Sequence, residues 1–407
     1  MTSTFYPPYH IGGDAVHVKY LAEELAKRGH EVHVLHSLDA YSVKRRQIPR
    51  QAESKGVFTH PMGTPFSLSA YEAYVFGGAS PVTRRFHTLV KETKPEIVHH
   101  HNVSLLGYKI LRKRSSYLNL YTAHDYWLIC PQSNLLRRGN RICEKASCIF
   151  CGLAYKKPPQ LWRYHTGFKE AIEDIDILIA PSNYLKAKIT HELPIEAVTI
   201  PNFVPTPPNR IAPSEFSNYL IYVGALEEHK GILLLLEAYK ELANYTGLKL
   251  AIVGDGMLRR KVDRLIHEYA LESIVISLGW VDRSLLYALL RDATGLVIPS
   301  VCPDNAPLVS LEALSVGTSV VGSDRGGLPE ILSTLDRELV FSWEHNGDLR
   351  RAVGFLLENY ENLAKKAYKA YRENFSAEAY LTSYAKLLST HLHHETSQCR
   401  KPNEPDK

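Results

Sequence analysis

Apolar residues recur at intervals of three and four along residues 14–28, which places Val18, Leu21, Ala22, Leu25 and Ala26 on one buried stripe of a helix closed by Gly29. The pattern then changes. Short unbroken apolar runs at residues 32–35, 97–100, 119–123 and 177–180 read as strands covered on both faces, with helical stretches between them. A second series at residues 219–223, 249–253, 274–278, 295–299 and 319–322 repeats the arrangement. Alternation of this kind predicts an α/β chain with parallel sheets. The proline-rich stretch 201–213 reads as a hinge between two doubly wound domains, the first ending near Ile200 and the second covering 201–375. A closing helix is expected over 376–393, followed by a disordered polar tail at 394–407. One irregularity stands at the start. Only residues 1–6 precede Pro7, Pro8 and the Gly12-Gly13 pair, so the opening strand is either shortened or begun late.

Composition narrows the class without changing the picture. The 407 residues exceed one ordinary core, and 45% hydrophobic with 22% charged content belongs to a globular chain. No apolar run reaches eighteen residues and no basic-then-apolar leader opens the chain, so the expected location is the cytoplasm. A net charge of +5 permits attraction to anionic headgroups or phosphorylated substrates, while no motif supports nucleic acid.

Three places carry chemistry. Gly12 and Gly13 stand just before the first helix, where backbone amides meet a diphosphate at the positive end of the helix dipole; a glycine pair alone marks only a turn. In Val223-Gly224-Ala225-Leu226-Glu227-Glu228-His229-Lys230-Gly231, Lys230 stands at the mouth of a helix, opposing its dipole unless an anion is present. The alternative is a solvated surface lysine. In the segment 299–317, Pro307 opens a helix that Gly317 ends, and Glu312 is its one charge; ribose hydroxyls would suit that carboxylate, as would a lysine. Asp304 lies on the loop entering the same helix. A further helix start, Asp324-Arg325-Gly326-Gly327-Leu328-Pro329-Glu330, offers free amides, so three such starts point to one cleft.

Tyr6-Pro7-Pro8 with Gly12-Gly13, Leu25 to Val32, Ile200-Pro201-Asn202, Val253-Gly254-Asp255-Gly256, the stretch around Leu308 to Glu312, and Gly326-Gly327-Leu328-Pro329-Glu330 follow one another in an order that resembles the retaining GT-B glycosyltransferases of family 4. The resemblance covers nearly the whole chain. It implies two Rossmann-like domains facing across a cleft, and transfer of a sugar from a nucleotide-diphosphate donor to an acceptor hydroxyl with retained anomeric configuration. Polysaccharide, glycolipid or cell-envelope glycan synthesis is the implied setting. Gly12 and Gly13 would touch the diphosphate, Lys230 would neutralise it, and Glu312 would hold the ribose. His124 and Asp304 would face the transferred sugar, and Gly224, Asn305, Ala306, Pro307 and Leu308 would line the donor site. The closing helix would return to the first domain. No cofactor is needed for this chemistry. The chain departs from the family pattern at Asp304, usually glutamate, and at Ala225, often arginine. A nucleotide-sugar-binding or scaffold protein without turnover is therefore the rival reading, and an epimerase of the same fold a more distant one.

Cys130, Cys143, Cys148 and Cys151 fall in an insertion of the first domain at about 130–165, the last two as Cys-x-x-Cys. Four thiolates in so short a segment suit a structural zinc ion, with an iron-sulfur cluster as the second choice; free buried or redox-active thiols are the alternative. Arg137, Arg138, Arg141, Lys145, Lys156, Lys157 and Arg163, interleaved with Tyr155, Trp162 and Tyr164, read as a flap for an anionic glycan or lipid-linked acceptor, in peripheral contact with the inner membrane face, or as a solvated basic surface.

Overall fold

A computed structural model of the chain describes residues 1–44, 56–63, 68–137, 141–144, 148–208, 210–211, 213–345 and 347–398. The first sheet contains β1 (Val32–Ser37), β2 (Val57–Met62), β3 (Ile97–His100), β4 (Leu118–Thr122), and, beyond a small antiparallel hairpin of β5 (Leu136–Arg137) and β6 (Arg141–Ile142), β7 (Ile177–Ala180) and β8 (Ala197–Thr199). β1 pairs with β2, and β3-β4-β7-β8 pair in that order, all parallel. Residues 1–4 close the gap between the two sets. Thr2 bridges Leu35 on one side and His100 on the other, and the amides of Thr2 and Ser3 donate to the carbonyls of His99 and Leu35 at 3.0 Å each. The first residues thus occupy the place of the opening strand, and the Gly12-Gly13 turn follows it as a doubly wound domain requires.

The second sheet is wholly parallel, in the order β11-β10-β9-β12-β13-β14, formed by β9 (Tyr219–Val223), β10 (Lys249–Val253), β11 (Val275–Gly279), β12 (Gly295–Ile298), β13 (Val320–Ser323) and β14 (Val340–Phe341). Winding reverses between β9 and β12. The loops leaving those neighbours diverge and leave a crevice at the carboxyl end of the sheet. Helices cover it with regular stripes: Ile232, Leu235, Leu236, Tyr239 and Leu242 of Ile232–Thr246 are buried at three- and four-residue spacing. Each such side chain stabilises the fold by about 1.5–3 kcal/mol. Gly231 caps this helix with φ +74°, and a Cβ there would lie 1.8 Å from the Pro299 carbonyl oxygen, so the close approach of the β9 and β12 loops demands glycine.

The connection after β8 is packed rather than solvated at its start. Phe203 and Val204 are fully buried, and the Val204 amide donates to the Phe375 carbonyl at 3.1 Å beside a Val204–Ser376 bridge. The last helix, Ala377–Gln398, then lies on the first domain: the Tyr384 hydroxyl is 3.1 Å from His99 Nδ1, and the Tyr380 ring meets His17 edge-on and Phe203 at a tilt. It continues past residue 393 to Gln398, where a disordered tail was expected; residues 399–407 lie outside the described residues.

Candidate active site

A cavity of about 1630 Å³ opens between the carboxyl ends of the two sheets. Its walls include Gly12, Gly13 and His124 from the first domain, and Gly224, Lys230, Asp304, Asn305, Ala306, Pro307, Leu308 and Glu312 from the second. Side chains that are far apart in the chain therefore meet around one space. A Cβ at Gly13 would stand 3.5 Å from Leu308. Asn305 Nδ2 donates to the His124 carbonyl at 2.9 Å, and Asn202 Nδ2 donates to the Ala306 carbonyl at 3.2 Å, tying the second-domain loop to the first domain.

Lys230, on the loop after β9, donates to Asp304 Oδ1 at 2.6 Å, and Asp304 also accepts from the Ser300 hydroxyl. Burial alone would lower the Lys230 pKa, but the adjacent Asp304 charge outweighs it and raises it. The same pairing holds Asp304 below its ordinary value against the opposing effect of burial. Lys230 is thus a fixed ammonium at any working pH. Both oxygens of Asp304 are engaged, Oδ1 by Lys230 and Oδ2 by Ser300.

Glu312 Oε1 accepts from Arg283 Nη2 at 2.6 Å. Burial raises the Glu312 pKa and Arg283 opposes the rise. Arg283 in turn lies over the rings of Tyr20 and Tyr287, at 4.7 and 5.4 Å to their centroids. It lines the cavity and was not singled out in the sequence. A cation in the first turn of a helix, set against the dipole, is the signal that marks it, as it marks Lys230.

His124 belongs to a buried imidazole cluster. His101 Nδ1 lies 3.0 Å from His124 Nε2, and the His17 ring is 5.0 Å from the His124 ring. Burial pushes the His124 pKa down to about 4, so its ring is neutral near pH 7. Next to it, Asp125 accepts from the Trp127 amide at 2.7 Å, and burial pushes its carboxyl up to about 7. A cleft carboxyl that titrates near neutrality is a functional candidate that the sequence alone does not reveal.

The third helix start lies elsewhere. Residues 324–330 do not line the cavity; the Gly327 amide donates to the Asp304 carbonyl at 2.7 Å, and a Cβ at Gly327 would strike Ser182 of the first domain at 2.5 Å. With that close approach, Glu330 reaches the start of helix Asn183–Glu192 and accepts from the amides of Asn183 and Tyr184 at 2.8 Å each and from Asn183 Nδ2 at 3.1 Å. This carboxylate clasps the two domains together. Glu330→Ala is expected to lower the unfolding free energy by about 1 kcal/mol and to enlarge the radius of gyration in small-angle scattering; an unchanged profile would remove the clasp.

The insertion also differs from expectation. Burial raises the pKa of Cys148 and Cys151, and the neighbouring Cys130 and Cys143 raise it further. Among the described residues no group of three or more His, Cys, Asp or Glu side chains is arranged to hold a metal ion. Arg163 is no surface cation: its guanidinium lies 4.6 Å from the Trp162 ring and 5.3 Å from that of Trp127, and donates to Gln160 Oε1 at 2.6 Å. Trp162 is likewise buried, donating to the Tyr74 carbonyl at 2.9 Å. Lys157 and Gln160 reach the cavity wall, whereas Arg138 and Lys145 lie outside the described residues.

Two doubly wound domains meeting over a cleft with these side chains define a nucleotide-sugar-dependent transferase of the GT-B fold. Residues 11–207 match the model of Glycosyltransferase Family 4 and residues 208–374 that of Glycosyl transferases group 1, and the chain belongs to this family. It is therefore a glycosyltransferase, using a nucleotide-sugar donor and a sugar acceptor. It is 26% identical over 337 residues to an uncharacterised glycosyltransferase of Methanocaldococcus jannaschii, covering 82% of each chain. It is 28% identical over 188 residues, 41% of this chain and 49% of the other, to the lipopolysaccharide 1,2-N-acetylglucosaminetransferase of Salmonella typhimurium. The fold resembles that of sucrose-phosphate synthase from Thermosynechococcus elongatus, with a TM-score of 0.72 at 19% identity over 97% of this chain and 98% of that one. The family is generally independent of metal ions. Among the described residues no helix is long and apolar enough to cross a membrane.

Proposed function

We propose that the chain is an active retaining transferase that moves a hexose-type residue onto a hydroxyl of a growing cell-envelope glycan. The observation that carries this reading is the Lys230–Asp304 pair, set at the β9/β12 reversal and facing Gly13 and His124 across one cavity. As the bond from the anomeric carbon to the phosphate breaks, negative charge grows on the departing diphosphate. Lys230, already charged and held in place, stabilises that charge without reorganising. The acceptor oxygen bonds to the anomeric carbon on the face the phosphate leaves, and the acceptor proton passes to the phosphate. Asp304 acts on this step by positioning Lys230. Glu312, with Arg283 fixing it, receives the ribose hydroxyls, and neutral His124 faces the sugar.

The setting draws on the printed name of the Salmonella relative and on the shape of the insertion. Phe150, Leu153, Leu161 and Tyr164 are exposed in the insertion that also sends Lys157 and Gln160 to the cavity wall, apolar surface suited to an acceptor carried on lipid.

Purified protein supplied with a panel of nucleotide sugars should be stabilised thermally by one donor class. It should then transfer the sugar to a lipid-linked or soluble glycan with the anomeric configuration kept, as read by proton NMR of the product. Tight nucleotide binding with neither hydrolysis nor transfer would instead support a binding protein, the outcome that Ala225, in place of a second cation, would explain.

A further inference from the structure

A second pocket, sharing no residue with the cleft, lies on the outer face of the first domain. Helix Ser80–Thr93 buries Val82, Phe86, Leu89 and Val90 against the sheet. Its other face turns Arg84, His87 and Lys91 toward Lys109 and Arg114, around a space of about 400 Å³ that Ser80, Thr83 and Thr88 also line. Every ionisable group of this lining is basic. None of the four lysines and arginines pairs with a carboxylate among the described residues. Nearby acids are engaged elsewhere: Glu92 with Arg85 at 3.1 Å, and Asp174 with Arg112 at 2.7 Å.

Three further features make this more than a solvated basic face. The helix begins at Ala79 with no side-chain cap and no acid in its first turn, so its dipole adds to the cations. The Lys109 stem is laid against Gly78, where a Cβ would meet its Cδ at 2.8 Å, and Gly78 is itself bridged to Gly107. His87 Nε2 is buried with no hydrogen-bond partner. Burial lowers the His87 pKa, and Arg114 and Lys91 lower it further. Cations gathered without a counter-charge, hydroxyls beside them and an unmatched buried nitrogen fit one ligand chemistry: an oxyanion with several acceptor oxygens.

We propose that this pocket is a phosphate-binding site, outside the donor cleft, that takes a phosphate monoester or diester. A phosphate seated there reverses the field at His87 and favours the protonated ring.

The test compares the full chain with the variant Arg84→Gln/Lys91→Gln/Lys109→Gln/Arg114→Gln. A control, Arg260→Gln/Lys261→Gln/Arg264→Gln/Lys365→Gln, removes equal charge from exposed positions of the second domain. Glycerol 3-phosphate is the soluble probe, and phosphatidylglycerol vesicles, against phosphatidylcholine alone, are the lipid one. Glycerol 3-phosphate should raise the apparent His87 pKa in an NMR titration by about one unit, as a close dianion does. The pocket variant should bind whichever probe the wild type prefers at least about tenfold more weakly, with donor-induced thermal stabilisation unchanged. Preference for the soluble ester or for the vesicles identifies the source of the phosphate. Absence of binding to both, or equal weakening in the control, overturns the site.

Discussion

Lys230→Ala is expected to lower kcat by roughly 10²–10³-fold, the loss that follows removal of one preorganised group from a developing oxyanion. Lys230 is the cation that the cavity fixes beside Asp304, and Ala225 leaves no second one on that loop. Nucleotide affinity should fall less than kcat, because the charge on the diphosphate grows as the bond breaks. The substitution also strands Asp304, whose carboxyl loses the partner that held it low and should then titrate higher. Lys230→Arg keeps the charge and should recover part of the rate. A kcat for Lys230→Ala within about threefold of the wild type would rule out this leaving-group role, whatever happened to nucleotide binding.

Acidification should be nearly as damaging to the fold itself. His17, His36, His99, His100 and His101 are all buried, and burial holds every one of them below the ordinary value of 6.5, His36 at about 4 and His100 at about 3. In the unfolded chain the same imidazoles titrate near 6.5, so below that pH the unfolded state binds more protons and gains on the native one. Stability is therefore intact above about pH 7 and is lost as pH falls. Between pH 7 and 5.5 the loss is about 1 kcal/mol for each ring, or about 5 kcal/mol together. The Met1 amine, held near 5 by burial, adds to this, while Asp125, raised to about 7, opposes it; the two nearly cancel. Since whole domains have about 5–15 kcal/mol to lose, denaturant unfolding at pH 5.5 should show a midpoint far below that at pH 7. A difference under about 1 kcal/mol would mean that these rings are charged or solvated in the native state.

The strands that run through the middle of each sheet were legible in the sequence because both their faces are covered. Tyr219–Val223 and Lys249–Val253 coincide with their apolar runs, and Gly295–Ile298 falls one residue short of its run. Edges were not. Val57–Met62 is largely half-exposed and holds Pro61, and Val340–Phe341 is too short to show a period. In the site, glycine turns and helix starts could be placed because backbone geometry restricts their composition. What a carboxylate faces could not: Asp304 turns to Lys230, Glu312 to Arg283 and Glu330 across to another domain, choices made by tertiary neighbours 29 to 147 positions away. The same limit applies to Asp125, whose shift comes from burial that no local pattern encodes.

The polypeptide passes from one domain to the other twice, at residues 202–204 and again at 375–377, and the two passes are stitched side by side by the Val204–Ser376 bridge. Paired crossings of this sort resist sliding and twisting but yield to bending, like the spine of a book. Any breathing of the cleft then follows a single arc, and one spin-label distance across its mouth would report the whole motion.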